Sequence, residues 1–229
     1  MGQTLPGYVL GADIRAIFFD VAHTLLEKPT VIPALQEAMA RHGINVPMQE
    51  LVARQRLLME AITFPDRTSR EFYAGFNSAL VRSVGAVPSR DLLDDMFTSC
   101  SYQPWMPYPD ARAIQRFNMP RGILSNWDGS LEDRLGSLLR VDFDWVLGSE
   151  DQGARKPDPA FFRLMLDKTG LMPAQIAYVG DSVRLDIEPA LQMGFHAILL
   201  DRDQLFPHSP LVRITSLDQL EQRPCNALQ

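Results

Sequence analysis

The sequence predicts an α/β fold, a doubly wound parallel sheet with a small α-helical domain inserted into it. Three features carry that reading. An apolar run, Ala16 to Phe19, stops abruptly at the carboxylate of Asp20, as a strand buried on both faces does where it meets a polar turn. From about 105 to 200, short apolar stretches alternate with stretches of helical periodicity, the pattern of a parallel sheet with right-handed crossovers. Between these blocks, from 31 to about 100, apolar residues recur only at three- and four-residue spacing, so a group of helices interrupts the alternation.

The elements follow in order. Val31, Leu35, Ala38 and Met39 predict the first helix of the insert. Leu51, Leu57, Leu58 and Ile62 predict the second, and Phe72, Phe76, Leu80 and Val84 the third. Ser89 suits the N-cap of a fourth that contains Leu92, Leu93 and Met96. Pro109 and Asp110 then open a helix over 111–117, followed by a strand over 122–125, a helix over 130–139 and a short strand over 145–147. A helix over 159–169 begins with Pro159, whose missing N–H is no loss in a first turn. A strand over 176–179, a helix over 185–193 and a strand over 197–200 complete the alternation. Residues 211–214 read as a last edge strand before a short helix from Ser216. The expected organisation is a Rossmann-like core domain of residues 1–28 and 105–229 with a helical cap domain of residues 29–104.

Composition narrows the function classes. The chain has 229 residues, 46% apolar and 22% charged, with a net charge of −6, ordinary values for a globular protein. Lysine occurs only at 28, 156 and 168, and the arginines are scattered among acidic residues. No basic block marks a nucleic-acid partner, and no run approaches the roughly 18 apolar residues that a membrane helix needs. Cys100 and Cys225 lie far apart without metal-ligand spacing, and residues 1–11 lack the pattern of a signal peptide. A reduced, cytoplasmic setting is the simplest expectation.

Four short stretches fall at strand ends or in the loops beyond them, where open α/β sheets bind their ligands. They are Asp20-Val21-Ala22-His23-Thr24, Ser125-Asn126, Arg155-Lys156-Pro157-Asp158-Pro159, and Gly180-Asp181-Ser182 with Asp186. Each alone has a structural reading. A strand-end Asp or Ser caps helices, Asp186 equally suits a helix start, and Lys-Pro-Asp-Pro makes a turn. A lone His in a tight loop, such as His23, is more often structural, and Trp127 reads as packing. Together, and in this order, the four stretches resemble the motifs of the haloacid dehalogenase-like (HAD) hydrolases over about 15–200. The similarity is closest in Leu124-Ser125-Asn126-Trp127-Asp128 and in the stretch from Ser149 to Pro159.

The resemblance implies a chemistry. Asp20 would be the nucleophile and form an aspartyl-phosphate, splitting one hard step into two. Mg2+, which prefers oxygen ligands, would be held by Asp20, the main-chain carbonyl of Ala22 and Asp181, with Asp186 supporting the metal loop. Ser125, with Asn126 beside it, would bind the transferring phosphoryl group. Lys156 would neutralise its charge, and Thr24 would brace the loop. The substrate would be a small phosphorylated metabolite, selected by the cap. Arg54, Arg56, Arg67 and Arg70 of the cap are candidates to touch it, although solvated helix faces account for most such residues.

One position departs from the family pattern. Its first motif reads Asp-x-Asp-x-Thr, and here the second Asp is Ala22. In the family's phosphatases that Asp protonates the leaving group and then activates water, a contribution of about 10²–10⁴-fold. The expected activity is therefore a magnesium-dependent phosphatase working without its usual acid/base, slowly or with another base such as His23. The alternatives are a weak or inactive phosphate-binding protein and a 2-haloacid dehalogenase-like hydrolase. Dehalogenases of this type need no metal and lack the Gly-Asp present here at 180–181. Phosphonoacetaldehyde hydrolases also carry Ala at the second position but use a cap lysine, and residues 29–106 contain no lysine.

Overall fold

The computed structural model describes residues 7–223. Its main sheet has six strands: β1 Ala16–Phe19, β2 Arg121–Ser125, β3 Trp145–Gly148, β4 Ile176–Gly180, β5 His196–Leu200 and β6 Arg213–Ile214. They lie in the order β3-β2-β1-β4-β5-β6, and every neighbouring pair is parallel. The chain winds outward from β1 through β2 to β3, then returns to the other side of β1 as β4. The strand order therefore reverses between β1 and β4, the switch point where such sheets leave a crevice. All residues of β1 and β4 are buried, which explains why neither shows the polar alternation of a half-exposed strand.

Packing on one face of the sheet brings Phe18, Leu124, Tyr178 and Leu199 against Phe161, Phe162 and Met165, the last three on the helix Pro159–Thr169. Phe18 also stacks on Trp145 at 5.5 Å between ring centroids. Burying a ring of this size stabilises by roughly 2–3 kcal/mol. Gly122 makes room for it, because a Cβ at 122 would sit 2.1 Å from the Phe18 ring.

The chain divides into two compact units, Met1–Leu26 with Pro107–Gln229, and Glu27–Met106. The second unit is helical: α1 Val31–Arg41, α2 Met48–Ala61, α3 Arg70–Ser83 and α4 Arg90–Cys100. It has its own core, in which Leu35, Ala38 and Met39 meet Leu51, Leu80, Val81, Leu92 and Met96. Ser69 and Ser89 cap α3 and α4 by accepting from the amides of Phe72 and Leu92. The unit boundaries fall two residues outside the expected cap, at short strands, Leu26–Glu27 and Met106–Pro107, that pair as a two-stranded ribbon. Among the described residues, no helix is long and apolar enough to cross a membrane.

Three elements differ from expectation. The helix expected over 185–193 is a π-turn, Val183–Ile187, running into a short α-helix, Glu188–Gln192. The amides of Asp186 and Ile187 both donate to the Ser182 carbonyl, and Pro189, lacking an N–H, sits in the first turn of the helix that follows. The segment after Asp110 is a 3₁₀-helix, Ala111–Arg116, and Asp110 does not cap it, because its carboxylate is drawn to Arg202. A parallel pair, Tyr8–Val9 with Leu220–Glu221, was not foreseen; two residues are too few to show a period.

Candidate active site

Asp20 leaves the C-terminal end of β1, and its amide donates to the Val179 carbonyl at 2.9 Å. The central strand thus delivers a carboxylate to the switch point. Ser125 ends the adjacent β2, and its Oγ donates to Asp20 Oδ1 at 2.9 Å. Lys156 reaches the same oxygen, with Nζ at 2.6 Å. No hydrogen bond engages the other oxygen, Oδ2, among the described residues.

Lys156 lies in the loop before the helix Pro159–Thr169, and Asn126 holds its backbone. The Lys156 amide donates to Asn126 Oδ1 at 2.8 Å, and Asn126 Nδ2 donates to the Lys156 carbonyl at 3.0 Å. Both ends of that side-chain amide are therefore engaged with the chain itself. The Lys156 ammonium also donates to Asp186 Oδ1 at 2.6 Å and to the Tyr178 hydroxyl at 3.2 Å. Asp186 is held from its other side by the Ser182 amide, 3.0 Å from Oδ2. Thr24, fully buried, donates to Asp181 Oδ1 at 3.4 Å.

The electrostatics follow from burial. Asp20 and Lys156 are only 5% and 3% exposed, too little for water to solvate either charge. Burial pushes the Asp20 carboxyl above the usual range, with the Lys156 ammonium opposing the shift and Asp186 adding to it. Burial works against the Lys156 ammonium too, but the charges of Asp186 and Asp20 outweigh it and hold the group above its ordinary value. Burial and the same carboxylates raise the Tyr178 phenol.

Oxygen atoms of Asp20, Asp181 and Asp186 lie within 4.8 Å of one another, and the Lys156 ammonium bonds to two of the three, Asp20 and Asp186. Asp20 and Asp186 are buried, and Asp181 is partly buried. A hard divalent cation fits such a donor set. Asp20 and Asp181 are placed to hold one, while both oxygens of Asp186 are already engaged. Ala22 forms an isolated bridge with Leu26. That bridge uses the Val21 carbonyl and the His23 amide, so the Ala22 carbonyl is not consumed by it.

The structure thus brings Asp20, Thr24, Ser125, Lys156, Asp181 and Asp186 together, with Asn126 behind Lys156. His23 takes a left-handed φ of 62° and closes the turn through its amide. Trp127 is buried and its amide donates to Ser149. In the helical unit, Arg54 pairs with Glu50 and Arg70 with Asp94.

Two residues of the neighbourhood escaped the sequence reading. Tyr178 carries the only side-chain hydroxyl of β4, and a polar tip in a wholly buried strand demands a partner; that was the available signal. Arg202 donates to the Thr24 carbonyl at 2.7 Å, pairs with both oxygens of Asp110 at 2.8 and 2.9 Å, and covers the Tyr108 ring at 3.9 Å. Nothing in the sequence distinguishes it from other scattered arginines.

Comparison with known proteins agrees with this geometry. A family model described as haloacid dehalogenase-like hydrolase matches residues 14–194. Haloacid dehalogenase-like hydrolase domain-containing protein 3 of Bos taurus is 33% identical over 208 residues, 82% of each chain. The phosphoserine phosphatase of Thermus thermophilus is 30% identical over 194 residues, covering 78% of this chain and 77% of its own. Among solved structures, the 2-haloacid dehalogenase of Pseudomonas syringae pv. tomato DC3000 superposes with a TM-score of 0.52 at 25% identity, covering 90% of this chain and 96% of its own. With its parallel sheet, its acidic cluster and its motifs in order, the chain belongs to the haloacid dehalogenase-like hydrolases.

Proposed function

We propose that this protein is a magnesium-dependent phosphatase that hydrolyses a small phosphomonoester through an aspartyl-phosphate on Asp20. The observation that carries this reading is the asymmetric treatment of the Asp20 carboxylate. Ser125 and Lys156 both hold Oδ1, which orients the group and leaves Oδ2 to attack phosphorus. As the bond from Oδ2 to phosphorus forms, the bond from phosphorus to the leaving oxygen breaks. Lys156 and Ser125, both buried, then neutralise and orient the phosphoryl oxygens in a site where hydrogen bonds act with little screening. Asp20, the Ala22 carbonyl and Asp181 would hold Mg2+, with Asp186 supporting the loop; when bound, the ion offsets the charge of the phosphate dianion. Kinship with a phosphoserine phosphatase supports the substrate class. We assign selection of the substrate to the helical unit, acting as a cap domain.

Ala22 shapes the rate. No carboxylate stands there to protonate the leaving group or to activate water, which costs about 10²–10⁴-fold. Substrates with good leaving groups lose least. The same residue supports a second reading, a phosphate-binding protein with little turnover. Dehalogenation has less support, because the Gly-Asp at 180–181, which dehalogenases of this type lack, is present and Asp181 completes a three-carboxylate cluster able to hold a metal.

The test is phosphate release from a panel of phosphomonoesters, with Mg2+ and with chelator, for wild type and Asp20→Asn. Turnover that needs the metal and vanishes in Asp20→Asn supports the phosphatase. Phosphate binding without turnover supports the second reading, and halide release from 2-haloacids in chelator would overturn both.

A further inference from the structure

The hydroxyl of Tyr178 stands at a junction of the site. It lies 3.2 Å from Lys156 Nζ, 2.9 Å from Asp186 Oδ1 and 3.0 Å from the carbonyl of Leu124, the residue before Ser125. An ammonium has three N–H donors. Lys156 Nζ has three oxygen partners: Asp20 Oδ1 and Asp186 Oδ1, each at 2.6 Å, and this hydroxyl. Donors and acceptors match one to one. The single proton of Tyr178 is then free to go to Leu124 or Asp186, which ties the ammonium to the end of β2 as well. The ring is fixed independently, by an edge-on contact with Phe162 at 5.4 Å.

We propose that Tyr178 is a positioning residue, whose hydroxyl accepts the third ammonium proton and so fixes Lys156 between Asp20 and Asp186. The proposal rests on the reading of Lys156 as the charge partner of the transferring phosphoryl group. Without the hydroxyl, one proton of a fully buried ammonium has no acceptor, and the head group is free to turn away from Asp20. Tyr178→Phe removes that one atom and keeps the ring.

The chain has only three lysines, so the full-length protein labelled with ¹⁵N-lysine gives at most three ammonium signals. Lys28→Arg and Lys168→Arg assign them. In wild type without added metal, the Lys156 ammonium is expected to be rigid and slow to exchange its protons. Tyr178→Phe should speed that exchange by about tenfold or more, the loss of one hydrogen bond to a charged group. It should also lower kcat by about tenfold at unchanged KM, with no further loss in a Lys156→Met background. A mobile, fast-exchanging Lys156 in wild type overturns the proposal without any variant. So does unchanged exchange in folded Tyr178→Phe, or a kcat loss that persists in Lys156→Met. If wild type turns over no phosphomonoester, the phosphatase reading fails, and the exchange measurement still decides the role of Tyr178.

Discussion

A Cβ at position 180 would stand 2.3 Å from the carboxyl carbon of Asp186. Gly180 and Asp186 are therefore one unit: the bare end of β4 lets the π-turn fold the carboxylate back against the strand, where it meets Lys156. Gly180→Ala has to push Asp186 outward and drag the ammonium from Asp20. It should cost about 1–3 kcal/mol of stability and lower kcat at least tenfold. Gly122→Ala is the control. Its new methyl meets the Phe18 ring, so it should lose similar stability with activity per folded molecule retained. Urea unfolding and steady-state kinetics on both variants measure this.

Restoring a carboxylate at position 22 should restore acid/base catalysis. Ala22→Asp is expected to raise kcat within the range of about 10²–10⁴-fold for alkyl phosphates. In kcat/KM, which reports formation of the aspartyl-phosphate, the gain should be smaller for p-nitrophenyl phosphate, whose leaving group needs no proton. Equal gains in kcat would place the benefit in breakdown of the aspartyl-phosphate, the step the two substrates share, and no gain would show that another group already does this work.

The Arg202–Asp110 pair should make stability fall in acid. Burial opposes ionisation of Asp110, but hydrogen bonds from Arg202 and Ser216 and the guanidinium charge outweigh it and hold the carboxyl below its ordinary value. A depressed pKa stabilises the folded state fully above the unfolded value of about 4, and that contribution disappears as pH falls through the folded value. Wild type should therefore be more stable than Asp110→Asn at pH 7, and the gap should close towards pH 3. Urea midpoints across that range check the sign.

Metal binding should register as stability. A ligand that binds only the folded state adds about 2.7 kcal/mol at a concentration one hundred times its Kd. Magnesium should raise the Tm of wild type, chelator should reverse the rise, and Asp181→Asn should abolish it. An undiminished rise in Asp181→Asn would place the ion elsewhere.

Much of this site was legible because strand ends in a parallel sheet converge. Asp20, Ser125 and Asp181 each terminate or follow a short apolar run, and such runs are read easily from sequence. Lys156 stood out by the scarcity of lysine and by the turn residues after it. Other contacts were not legible, for a different reason. Asn126 meets the Lys156 backbone across thirty positions, and Arg202 meets Thr24 across 178, separations that no local pattern encodes. The π-turn at 183–187 and the 3₁₀-helix at 111–116 share helical periodicity with the α-helices expected there, so hydrophobic spacing alone did not separate them. Tyr178 was hidden by the run that contains it, because its ring satisfies the apolar pattern while its hydroxyl does the polar work.

The most direct test of the chemistry is capture of the intermediate. Without a carboxylate at 22 to activate water, the aspartyl-phosphate should break down slowly once a good leaving group has departed. Protein incubated with p-nitrophenyl phosphate and Mg2+, quenched and reduced with borohydride, should yield homoserine in place of Asp20 by peptide mass spectrometry. The signal should be weaker in Ala22→Asp, where hydrolysis is faster. Steady release of p-nitrophenol with Asp20 unmodified would contradict a covalent phosphatase mechanism on this residue.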